Sequence, residues 1–228
     1  MEMALHRAFI FLGPPGAGKG TQSKRFAERR TLAHLSTGDM LRDAVSRGTE
    51  LGRLAKPIMD RGELVPDDIV VRMIEERLDG SDCDGGVVFD GFPRTVAQAE
   101  RLDRVLESRS FGKPVVVDFE VRPEVLMRRL TGRRTCSVCG EIYNVYDAPP
   151  RVPDTCDRDG GRLVLRADDR PEVVQERMAA YERQTRPLTD YYRRLGLLQE
   201  VDATAGVEEV RRTLEDVLKR VEGRDGRL

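Results

Sequence analysis

A glycine-rich loop with one lysine lies near the N-terminus. The segment AFIFLGPPGAGKGT contains Gly13, Gly18 and Lys19 at the phosphate-loop spacing G-x-x-x-x-G-K. Glycine lets backbone N–H groups approach a polyphosphate closely, and the dipole of a helix that starts at the loop attracts negative charge. Lys19 adds a positive charge for the outer phosphates. The motif usually continues with Ser or Thr, but Gly20 precedes Thr21 here, which weakens the case for a direct hydroxyl ligand to Mg²⁺.

Three cysteines and an aspartate form a second candidate site. Cys136 and Cys139 make a C-x-x-C pair, and Cys156 is followed by Asp159 at the same spacing, with 16 residues between the two pairs. This pattern is typical of a zinc ribbon in which a carboxylate replaces the fourth thiolate. Four protein ligands leave no open position for catalysis, so the sequence predicts a structural zinc site. Asp157 is the alternative fourth ligand, and a disulfide is disfavoured because three cysteines leave one unpaired.

Composition limits the possible partners and compartments. Charged residues make up 35% of the 228 residues, yet the net charge is −1, so no overall basic field attracts nucleic acid or a membrane. No apolar run approaches the ~20 residues that cross a bilayer, and residues 1–7 lack a signal-peptide core. We therefore expect a cytoplasmic protein. In that reducing compartment the fourth cysteine, Cys83, is interpreted as a spectator thiol.

Apolar segments alternate with amphipathic ones along the chain. Strands that alternate with helices favour a parallel sheet covered on both faces, so we predict an α/β, doubly wound fold with five strands. The predicted strands are Ala8–Leu12, Leu32–Leu35, Val87–Asp90, Val115–Val121 and Leu197–Val201, and the predicted helices are Lys19–Arg30, Val96–Glu107, Glu124–Leu130, Glu172–Leu195 and Val207–Val221. The tail from Gly223 onward is expected to be frayed.

Two segments interrupt this alternation. Residues 36–78 show helical patterns without a strand, which indicates a small helical insertion. Residues 132–169 contain three prolines, three of the four cysteines and several strand-forming residues, which predicts a compact β module held together by the metal. The predicted division is a core of residues 1–35, 66–131 and 170–228, an insertion at 36–65 and a lid at 132–169.

A series of longer motifs gives a specific resemblance to a known family. In chain order they are STGDMLR (Ser36–Arg42), GELVP (Gly62–Pro66), DGFPRT (Asp90–Thr95), RLTGRR (Arg129–Arg134) and RADD (Arg166–Asp169). With the phosphate loop, Gln98 and Arg177, this series resembles adenylate kinase, specifically the bacterial type whose long lid carries zinc, over residues 7–220. The resemblance implies a P-loop NTPase-type sheet with a helical AMP-binding insertion and a zinc-bearing β lid. It also implies reversible, Mg²⁺-dependent transfer of the γ-phosphoryl group of ATP to AMP, giving two ADP.

The resemblance assigns roles to residues at matching positions. Those implied to bind ATP are Gly16, Ala17, Gly18, Lys19, Gly20, Thr21, Arg133, Ile142, Tyr143 and, through its backbone, Ala205. Those implied to bind AMP are Thr37, Arg42, Glu63, Leu64, Val65, Gly91, Phe92, Pro93, Arg94, Gln98 (at the adenine edge), Arg166 and Arg177. Those implied to act in catalysis are Lys19, Arg94, Arg129, Arg133, Arg166 and Arg177. Asp90 is implied to orient Mg²⁺ through water, and Cys136, Cys139, Cys156 and Asp159 to bind structural zinc.

Several of these residues also have simpler interpretations. Thr37 can cap the helix that follows it, and Gln98 can be a solvated helix position. Asp168 and Asp169 can cap the next helix, or they can contact a hinge or a ribose. An isolated arginine is usually a surface charge, as we expect for Arg134.

For its neighbour Arg133, by contrast, we expect a role in the site. Replacement of Arg133 by alanine is then expected to lower turnover by ~10²-fold at modest cost to folding. His6 and His34 lie outside every motif and are not expected to be catalytic.

The implied reaction needs no general base. A kinase that phosphorylates a hydroxyl requires a carboxylate to accept the proton, whereas AMP presents an ionised phosphate oxygen as its nucleophile. ATP and AMP bring roughly six negative charges, of which about four remain after one Mg²⁺ binds. We expect positioning and screening by six cations, with the lid and the insertion closing to exclude water. The six are Lys19, Arg42, Arg94, Arg133, Arg166 and Arg177.

Three other functions fit parts of the sequence. A kinase for UMP or CMP shares the scaffold, although Thr37, Gln98 and the long lid favour AMP. An ATP-gated nucleic-acid-binding protein is disfavoured by the net charge of −1 and by a lid without a basic aromatic strip. A GTPase is disfavoured because the sequence has no N-K-x-D motif. We expect a monomer that binds ATP, AMP and ADP and has no nucleic-acid or membrane partner.

Overall fold

A parallel sheet of five strands forms the centre of this computed structural model, which describes residues 7–225. The strands of the described chain are β1 (Ala8–Leu12), β2 (Ala33–Ser36), β3 (Val87–Asp90), β4 (Val115–Glu120), β5 (Arg133–Cys136), β6 (Ile142–Asn144), β7 (Leu163–Val164) and β8 (Leu198–Asp202). The central sheet has the order β2-β3-β1-β4-β8, with every neighbouring pair parallel. The prediction of a five-stranded parallel sheet is confirmed, although β2 and β8 each lie one residue later than predicted.

Helices pack on both faces of this sheet. They are α1 (Lys19–Arg30), α2 (Thr37–Ser46), α3 (Glu50–Asp60), α4 (Asp67–Arg77), α5 (Val96–Ser108), α6 (Pro123–Gly132), α7 (Pro171–Ala180), α8 (Pro187–Arg194) and α9 (Val207–Asp225). Side chains of a strand alternate between faces, so Ile10 of β1 packs in one hydrophobic cluster and Phe9 and Phe11 pack in the other. Both faces are therefore buried, as expected for a doubly wound sheet.

The long helical pattern predicted over 172–195 is divided in the structure. A π-helical turn at Tyr181–Thr185 separates α7 from α8, with the Arg186 N–H bonded to the Tyr181 carbonyl at 2.9 Å. Pro187 follows and cannot donate a backbone hydrogen bond, which explains why the α-helical ladder does not run through. At the other end of the molecule, α9 continues to Asp225, so the frayed tail predicted from Gly223 is wrong for its first residues. Residues 226–228 and His6 lie outside the described residues.

The two predicted interruptions have the predicted local structure. Residues 36–78 form α2, α3 and α4, and residues 132–169, called the cysteine segment below, contain β5, β6 and β7. These three strands form an antiparallel sheet in the order β6-β5-β7. The division into core, insertion and lid remains a prediction. Among residues 7–225, each helix is too short or too polar to span a lipid bilayer.

Candidate active site

A cleft of about 1200 Å³ lies at the carboxyl ends of the parallel strands. In-register pairs bring Phe11 of β1 opposite Asp90 of β3 and Leu12 opposite Asp118 of β4, so these strands end at one edge. The strand order changes direction at β1, and ligands of open α/β sheets bind at such a switch point. The loop after β1, the α2–α3 region and the cysteine segment all contribute to the walls.

Gly16 and Gly18 give the loop between β1 and α1 its shape. Their φ angles of 85° and 90° lie in the left-handed region, which glycine adopts without strain. A Cβ on Gly16 would lie 2.9 Å from the side chain of Leu130, so the packing also excludes a larger residue. Gly18 immediately precedes α1, whose first residues line the cleft. The loop and the positive end of the helix dipole therefore face the same space, as an anion site requires.

Lys19 lies at the base of this loop. Its ammonium donates hydrogen bonds to the carbonyls of Gly13 at 2.5 Å and Pro14 at 2.8 Å. Burial lowers the pKa of Lys19 to about 8; nearby Asp90 opposes this shift and Arg94 adds to it. A phosphate in the cleft restores the missing negative charge and therefore favours the ammonium form.

Asp90 ends β3 beside the phosphate loop. A Cβ on Gly20 would lie 3.3 Å from Asp90 Oδ2, so the carboxylate lies against the position where the loop motif usually has Ser or Thr. His34 Nε2 is 3.7 Å from the same oxygen and 2.9 Å from Ser23 Oγ. Burial raises the pKa of Asp90, but His34 and Lys19 outweigh burial and lower it overall, so the group is ionised at neutral pH.

His34 is a contact that the motifs did not indicate. The sequence left it outside the site, yet it lines the cleft and lies beside Asp90. The register of β2 against β3 pairs Ser36 with Asp90. Because side chains alternate along a strand, His34 lies on the same face as Ser36, and knowledge of this register would have indicated the contact.

Asp169 joins two arginines from different elements. Arg133 at the start of β5 donates two hydrogen bonds to its carboxylate, with Nε 2.7 Å from Oδ2. Arg177 on α7 donates to the same carboxylate at 2.9 Å. Burial disfavours the charge on Arg133, but Asp169 outweighs it and raises the pKa of Arg133. The Asp169 side chain is fully buried and α7 has no side-chain cap, so the helix-cap interpretation of this aspartate is wrong.

Arg42 and Arg166 extend this group of cations toward α2. Arg42 Nη2 donates to Asp39 Oδ1 at 2.6 Å, and its Nη1 is 3.9 Å from Asp168 Oδ2. Burial and then the neighbouring arginines lower the pKa of Arg166 to about 9. Asp168 also lies 3.2 Å from Arg177, and it does not cap α7 either. Arg166 therefore lies close to other arginines, and the nearby carboxylates of Asp39 and Asp168 do not fully balance their positive charge.

Arg94 completes the group from the loop between β3 and α5. Its Nε donates to the carbonyl of Gly91 at 2.7 Å, and burial, followed by the charge of Arg177, lowers the pKa of Arg94 to about 10. The carboxylates in this region were missed when cations were counted from the sequence. Lys19, Arg42, Arg94, Arg133, Arg166 and Arg177 share the region with Asp39, Asp90, Asp168 and Asp169, which leaves a net charge of +2 when all are ionised.

Arg129 makes different contacts from the other predicted catalytic arginines. Its guanidinium donates to the carbonyls of Ala203 at 2.8 Å, Thr204 at 3.2 Å and Ala205 at 2.8 Å. These bonds hold the loop after β8, which includes the predicted backbone contact for the ATP base. In this structure Arg129 therefore orders a wall of the cleft, whereas the sequence led us to expect convergence on phosphates.

Thr37 and Gln98 are held by the protein itself. Thr37 donates to the carbonyl of Gly91 at 2.8 Å, and α2 is capped by Ser36, so the cap interpretation of Thr37 is wrong. Gln98 is 2% exposed, which excludes a solvated helix position. Its amide nitrogen donates to Asp67 at 2.7 Å. Asp67 is a partner that the sequence motifs did not indicate.

The remaining predicted nucleotide contacts lie along the cleft with two exceptions. Phe92 is 1% exposed and packs in the hydrophobic core beside Phe89, because its apolar ring gains more by burial there. Pro93 lines a smaller cavity of about 80 Å³ that adjoins the main cleft. Residues that line the main cleft as predicted are Gly16, Ala17, Gly18, Gly20, Thr21, Glu63, Leu64, Val65, Gly91, Ile142, Tyr143 and Ala205.

The cysteine segment brings its four predicted ligands together. One ligand atom from each of Cys136, Cys139, Cys156 and Asp159 lies within 4.8 Å of all the others, so this cluster could hold a metal ion. Asp157, the alternative, instead accepts a hydrogen bond from a backbone N–H at 2.9 Å. The pKa of Cys139 is raised to about 12, mainly by its hydrogen bond with Asp159. A metal must therefore displace a proton to bind this thiol.

Tyr143 lies close to this cluster, and the fourth cysteine, Cys83, lies away from it. The Tyr143 hydroxyl is 3.5 Å from Cys156 Sγ, so one side chain contacts the cysteine cluster and also lines the cleft. Cys83 is buried in the central core beside Arg77 and does not belong to the cluster.

Comparison with known proteins identifies the family. The family model described as adenylate kinase matches residues 11–197. The chain belongs to the adenylate kinase family. An adenylate kinase of Archaeoglobus fulgidus is 49% identical over 212 residues, which cover 93% of this chain and 98% of that protein. Adenylate kinases of Thermodesulfovibrio yellowstonii and Bacillus subtilis are 50% and 47% identical, over 88% and 92% of this chain and 94% and 96% of their own.

The match confirms the resemblance to adenylate kinase, whereas the zinc-bearing lid stays a prediction. Adenylate kinases convert ATP and AMP to two ADP and use Mg²⁺ with ATP. The alternatives of a GTPase and of an ATP-gated nucleic-acid-binding protein gain no support from these relatives, all of which are named adenylate kinase. The match extends over the phosphate loop, the α2–α4 region and the cysteine segment alike, because it spans residues 11–197.

Proposed function

We propose that this protein transfers the γ-phosphoryl group of ATP to AMP by positioning and electrostatic screening, without a general base. The observation that carries this proposal is the meeting of Lys19, Arg94 and Arg177, which come from the phosphate loop, the β3–α5 loop and α7. All three line one cavity of about 80 Å³ that adjoins the main cleft. Three partly buried cations repel one another, and an anion that binds between them removes this repulsion.

The donor and the acceptor enter from opposite parts of the cleft. The phosphate loop and the N-terminus of α1 bind the ATP phosphates, and the loop held by Arg129 contacts the donor base. On the acceptor side, Thr37, Gln98 and the backbone of residues 63–65 bind AMP. Arg94 and Arg177 then lie where the two phosphate chains meet, and they screen the charge that spreads over the transferring group.

The arginines can bind phosphate while they keep their carboxylate partners. Arg42 is bonded to Asp39, and Arg133 and Arg177 are bonded to Asp169. These carboxylates order the guanidinium groups and compensate part of their charge. Each arginine retains free N–H donors for phosphate oxygens, because a guanidinium has five. The ionised phosphate of AMP attacks directly, so no side chain has to remove a proton.

Asp90 fits the expected role at the magnesium ion. Mg²⁺ prefers oxygen ligands and retains several waters, and Asp90 offers an ionised carboxylate next to the phosphate loop. The ion, when bound with ATP, neutralises charge on the outer phosphates. Asp90, at the end of β3, would hold the ion through water, and His34 of β2 lies beside this carboxylate.

We further propose that the cysteine cluster binds structural zinc. Three thiols and one carboxylate within 4.8 Å suit the tetrahedral geometry that Zn²⁺ adopts, and no position remains for a substrate. The segment buries only a small cluster around Cys136, Cys156 and Leu163, which is too little apolar surface to fold it alone. The metal would keep residues 132–169 rigid while they close over ATP, with residues 36–65 closing over AMP.

The decisive experiment is an assay of ADP formed from ATP plus AMP, with UMP, CMP and GMP tested as acceptors under the same conditions. The expected result is two ADP per ATP consumed, with AMP the best acceptor. Metal-replete protein that makes no ADP, or that phosphorylates an alcohol instead, would refute the proposal.

The cytoplasmic location and the monomeric state remain predictions. Gel filtration coupled to light scattering tests the monomeric state.

A further inference from the structure

The side chains around Gln98 form a closed set of directed hydrogen bonds. Gln98 Nε2 donates to Asp67 Oδ1 at 2.7 Å, and Gln98 Oε1 accepts from the Arg94 backbone N–H at 2.7 Å. The Thr95 hydroxyl donates to the other oxygen of Asp67 at 2.7 Å and accepts from the Gln98 backbone N–H at 3.1 Å. Both carboxylate oxygens of Asp67 are therefore engaged, so this carboxylate cannot rotate freely.

We propose that Asp67 is a positioning residue that determines specificity for the acceptor base by fixing the orientation of the Gln98 amide. A carboxylate only accepts hydrogen bonds and a backbone N–H only donates them. If the amide turned over, Gln98 Oε1 would face Asp67 and Gln98 Nε2 would face the Arg94 N–H, and both bonds would be lost. Because Gln98 is 2% exposed, water cannot replace them. The amide thus has one stable orientation.

The fixed amide has one remaining N–H and one remaining oxygen lone pair, and Gln98 lines the cleft in which the base would bind. A 6-amino purine offers an N6–H donor beside the N1 acceptor. A 6-oxo purine in the same pose offers an O6 acceptor beside an N1–H donor, which is the reverse order. One orientation of the amide therefore pairs with adenine, and it sets donor against donor and acceptor against acceptor when hypoxanthine or guanine binds in that pose.

This inference rests on the proposed role of Gln98 in binding AMP. It adds a reason why the Gln98 amide distinguishes a 6-amino purine from a 6-oxo purine. Asp67 acts through Gln98 and need not touch the nucleotide. An asparagine at position 67 carries both a donor and an acceptor, so it can pair with either orientation of the amide. Discrimination is then expected to decrease, although the Arg94 N–H still favours the original orientation.

The test compares kcat/KM for AMP with kcat/KM for IMP, a 6-oxo purine monophosphate, using ATP as donor. In Asp67→Asn the AMP-to-IMP ratio is expected to fall about tenfold, which corresponds to ~1.4 kcal/mol. The KM for ATP is expected to stay within twofold. The matched control is Asp68→Asn, which removes the next carboxylate on α4, an exposed one, and should leave the ratio unchanged.

A second pair of variants makes the test independent of how well Asp67→Asn folds. Thr95→Val removes one of the bonds that hold Asp67 in place, so the carboxylate can turn away from Gln98 and the AMP-to-IMP ratio is expected to fall, whereas Thr95→Ser keeps the hydroxyl and the ratio. A ratio that stays within twofold of the unaltered protein in folded Asp67→Asn, or in Thr95→Val, would overturn the inference.

Gln98→Leu separates the proposed role of Gln98 in binding AMP from the proposed role of Asp67 in orienting Gln98. If its KM for AMP is unchanged, the proposed acceptor role of Gln98 is wrong; if that KM rises while Asp67→Asn behaves normally, only the role of Asp67 is wrong.

Discussion

Asp169 holds Arg133 in a two-point hydrogen bond within the protein interior. Arg133 Nε lies 2.7 Å from Asp169 Oδ2, a second bond joins Nη2 to Oδ1, and the Asp169 side chain is fully buried. Such a two-point contact fixes the plane of the guanidinium as well as its distance. The arginine is therefore oriented before any nucleotide arrives, which lowers the cost of ordering it in the transition state.

Replacement of Arg133 by alanine should lower turnover by ~10²-fold, because a fixed donor to the transferring phosphoryl group is lost. It should also destabilise the protein by ~2–3 kcal/mol, because a buried carboxylate loses one of its two arginines while Arg177 remains. In a chain of this size that loss corresponds to a melting temperature lower by roughly 4–12 °C. Steady-state kinetics and calorimetry check the two effects separately. The sequence alone had predicted only a modest cost to folding.

Arg134 provides the matched control for this prediction. Its guanidinium donates to backbone carbonyls of Thr131 and Arg133 at 3.1 Å and 2.8 Å. Arg134→Ala is expected to change turnover by less than threefold. A loss in Arg134→Ala as large as that in Arg133→Ala would show that the effect comes from the charge of this strand and not from the contact with Asp169.

The sequence predicted most of the fold because its local signals agreed with one another. The glycine loop, the helix after it and the apolar strand before it all indicate one strand–loop–helix unit, and α1 has the predicted bounds of Lys19–Arg30. The C-x-x-C spacing likewise predicted that Asp159 lies with the three cysteines, because a knuckle repeats the same three-residue step.

The partners of the site residues could not be predicted in the same way. Asp169 next to Arg133 and Asp67 next to Gln98 are contacts between distant parts of the chain, and no local pattern encodes them. The motif RADD looked like a helix cap because acidic residues before a helix usually are. Only the position of β5 relative to α7 shows that this carboxylate instead joins two arginines.

Removal of the metal should unfold the cysteine segment before the rest of the protein. Because Asp159 raises the pKa of Cys139 to about 12, that thiol is protonated at neutral pH in the metal-free state. Zinc binding must therefore release protons, and its affinity should fall as the pH falls. We expect one zinc per chain by elemental analysis and a lower melting temperature after treatment with a chelator. Undiminished thermal stability without metal would contradict a structural role.

Asp159 and Asp157 form a matched pair for the same question. Asp159→Ala removes a predicted ligand and should weaken zinc binding by ~10²-fold or more, whereas Asp157→Ala removes a carboxylate that accepts a backbone hydrogen bond and should bind zinc nearly normally. Competition with a chromophoric chelator measures both affinities. The opposite order of the two affinities would make Asp157 the ligand.

The lowered pKa of Lys19 predicts that ATP binding takes up a proton in mildly alkaline solution. Lys19 has a pKa of about 8 in the free protein, so the ammonium is half deprotonated at that pH and mostly deprotonated above it. Phosphates favour the charged form and raise the pKa, so the affinity for ATP should fall as the pH rises through 8. At pH 8.5 the uptake should approach about 0.8 proton per ATP. Calorimetry in two buffers of different ionisation enthalpy measures this number directly.

Lys19→Arg is the control for proton uptake, because a guanidinium stays charged throughout this pH range. The variant should bind ATP without taking up a proton at pH 8.5, even if its turnover is low. Equal uptake by the variant and the unaltered protein would show that another group, and not Lys19, accepts the proton.

Lys24 and Glu141 connect α1 to the cysteine segment at the edge of the cleft. Their charged atoms are 3.2 Å apart, and both side chains are more than a third exposed, so the pair contributes little stability and is screened by salt. Its effect should appear in closure of this segment over ATP. Lys24→Glu places two carboxylates together and is expected to raise the KM for ATP about threefold at low salt, with the effect vanishing near 1 M salt. The charge exchange Lys24→Glu with Glu141→Lys should restore the original KM.

Arg29 and Glu215 form another ion pair of α1, with α9, at 3.1 Å; Glu215 is less exposed than Glu141. Because neither residue belongs to the cysteine segment, Arg29→Glu should leave the KM for ATP unchanged while perturbing stability slightly. If Arg29→Glu raises this KM as much as Lys24→Glu does, the cause is the net charge of α1 and its attraction for the nucleotide. A rise confined to Lys24→Glu and reversed by the exchange shows that the pair itself favours the closed cleft. Phosphoryl transfer needs that closure to keep water from the γ-phosphoryl group.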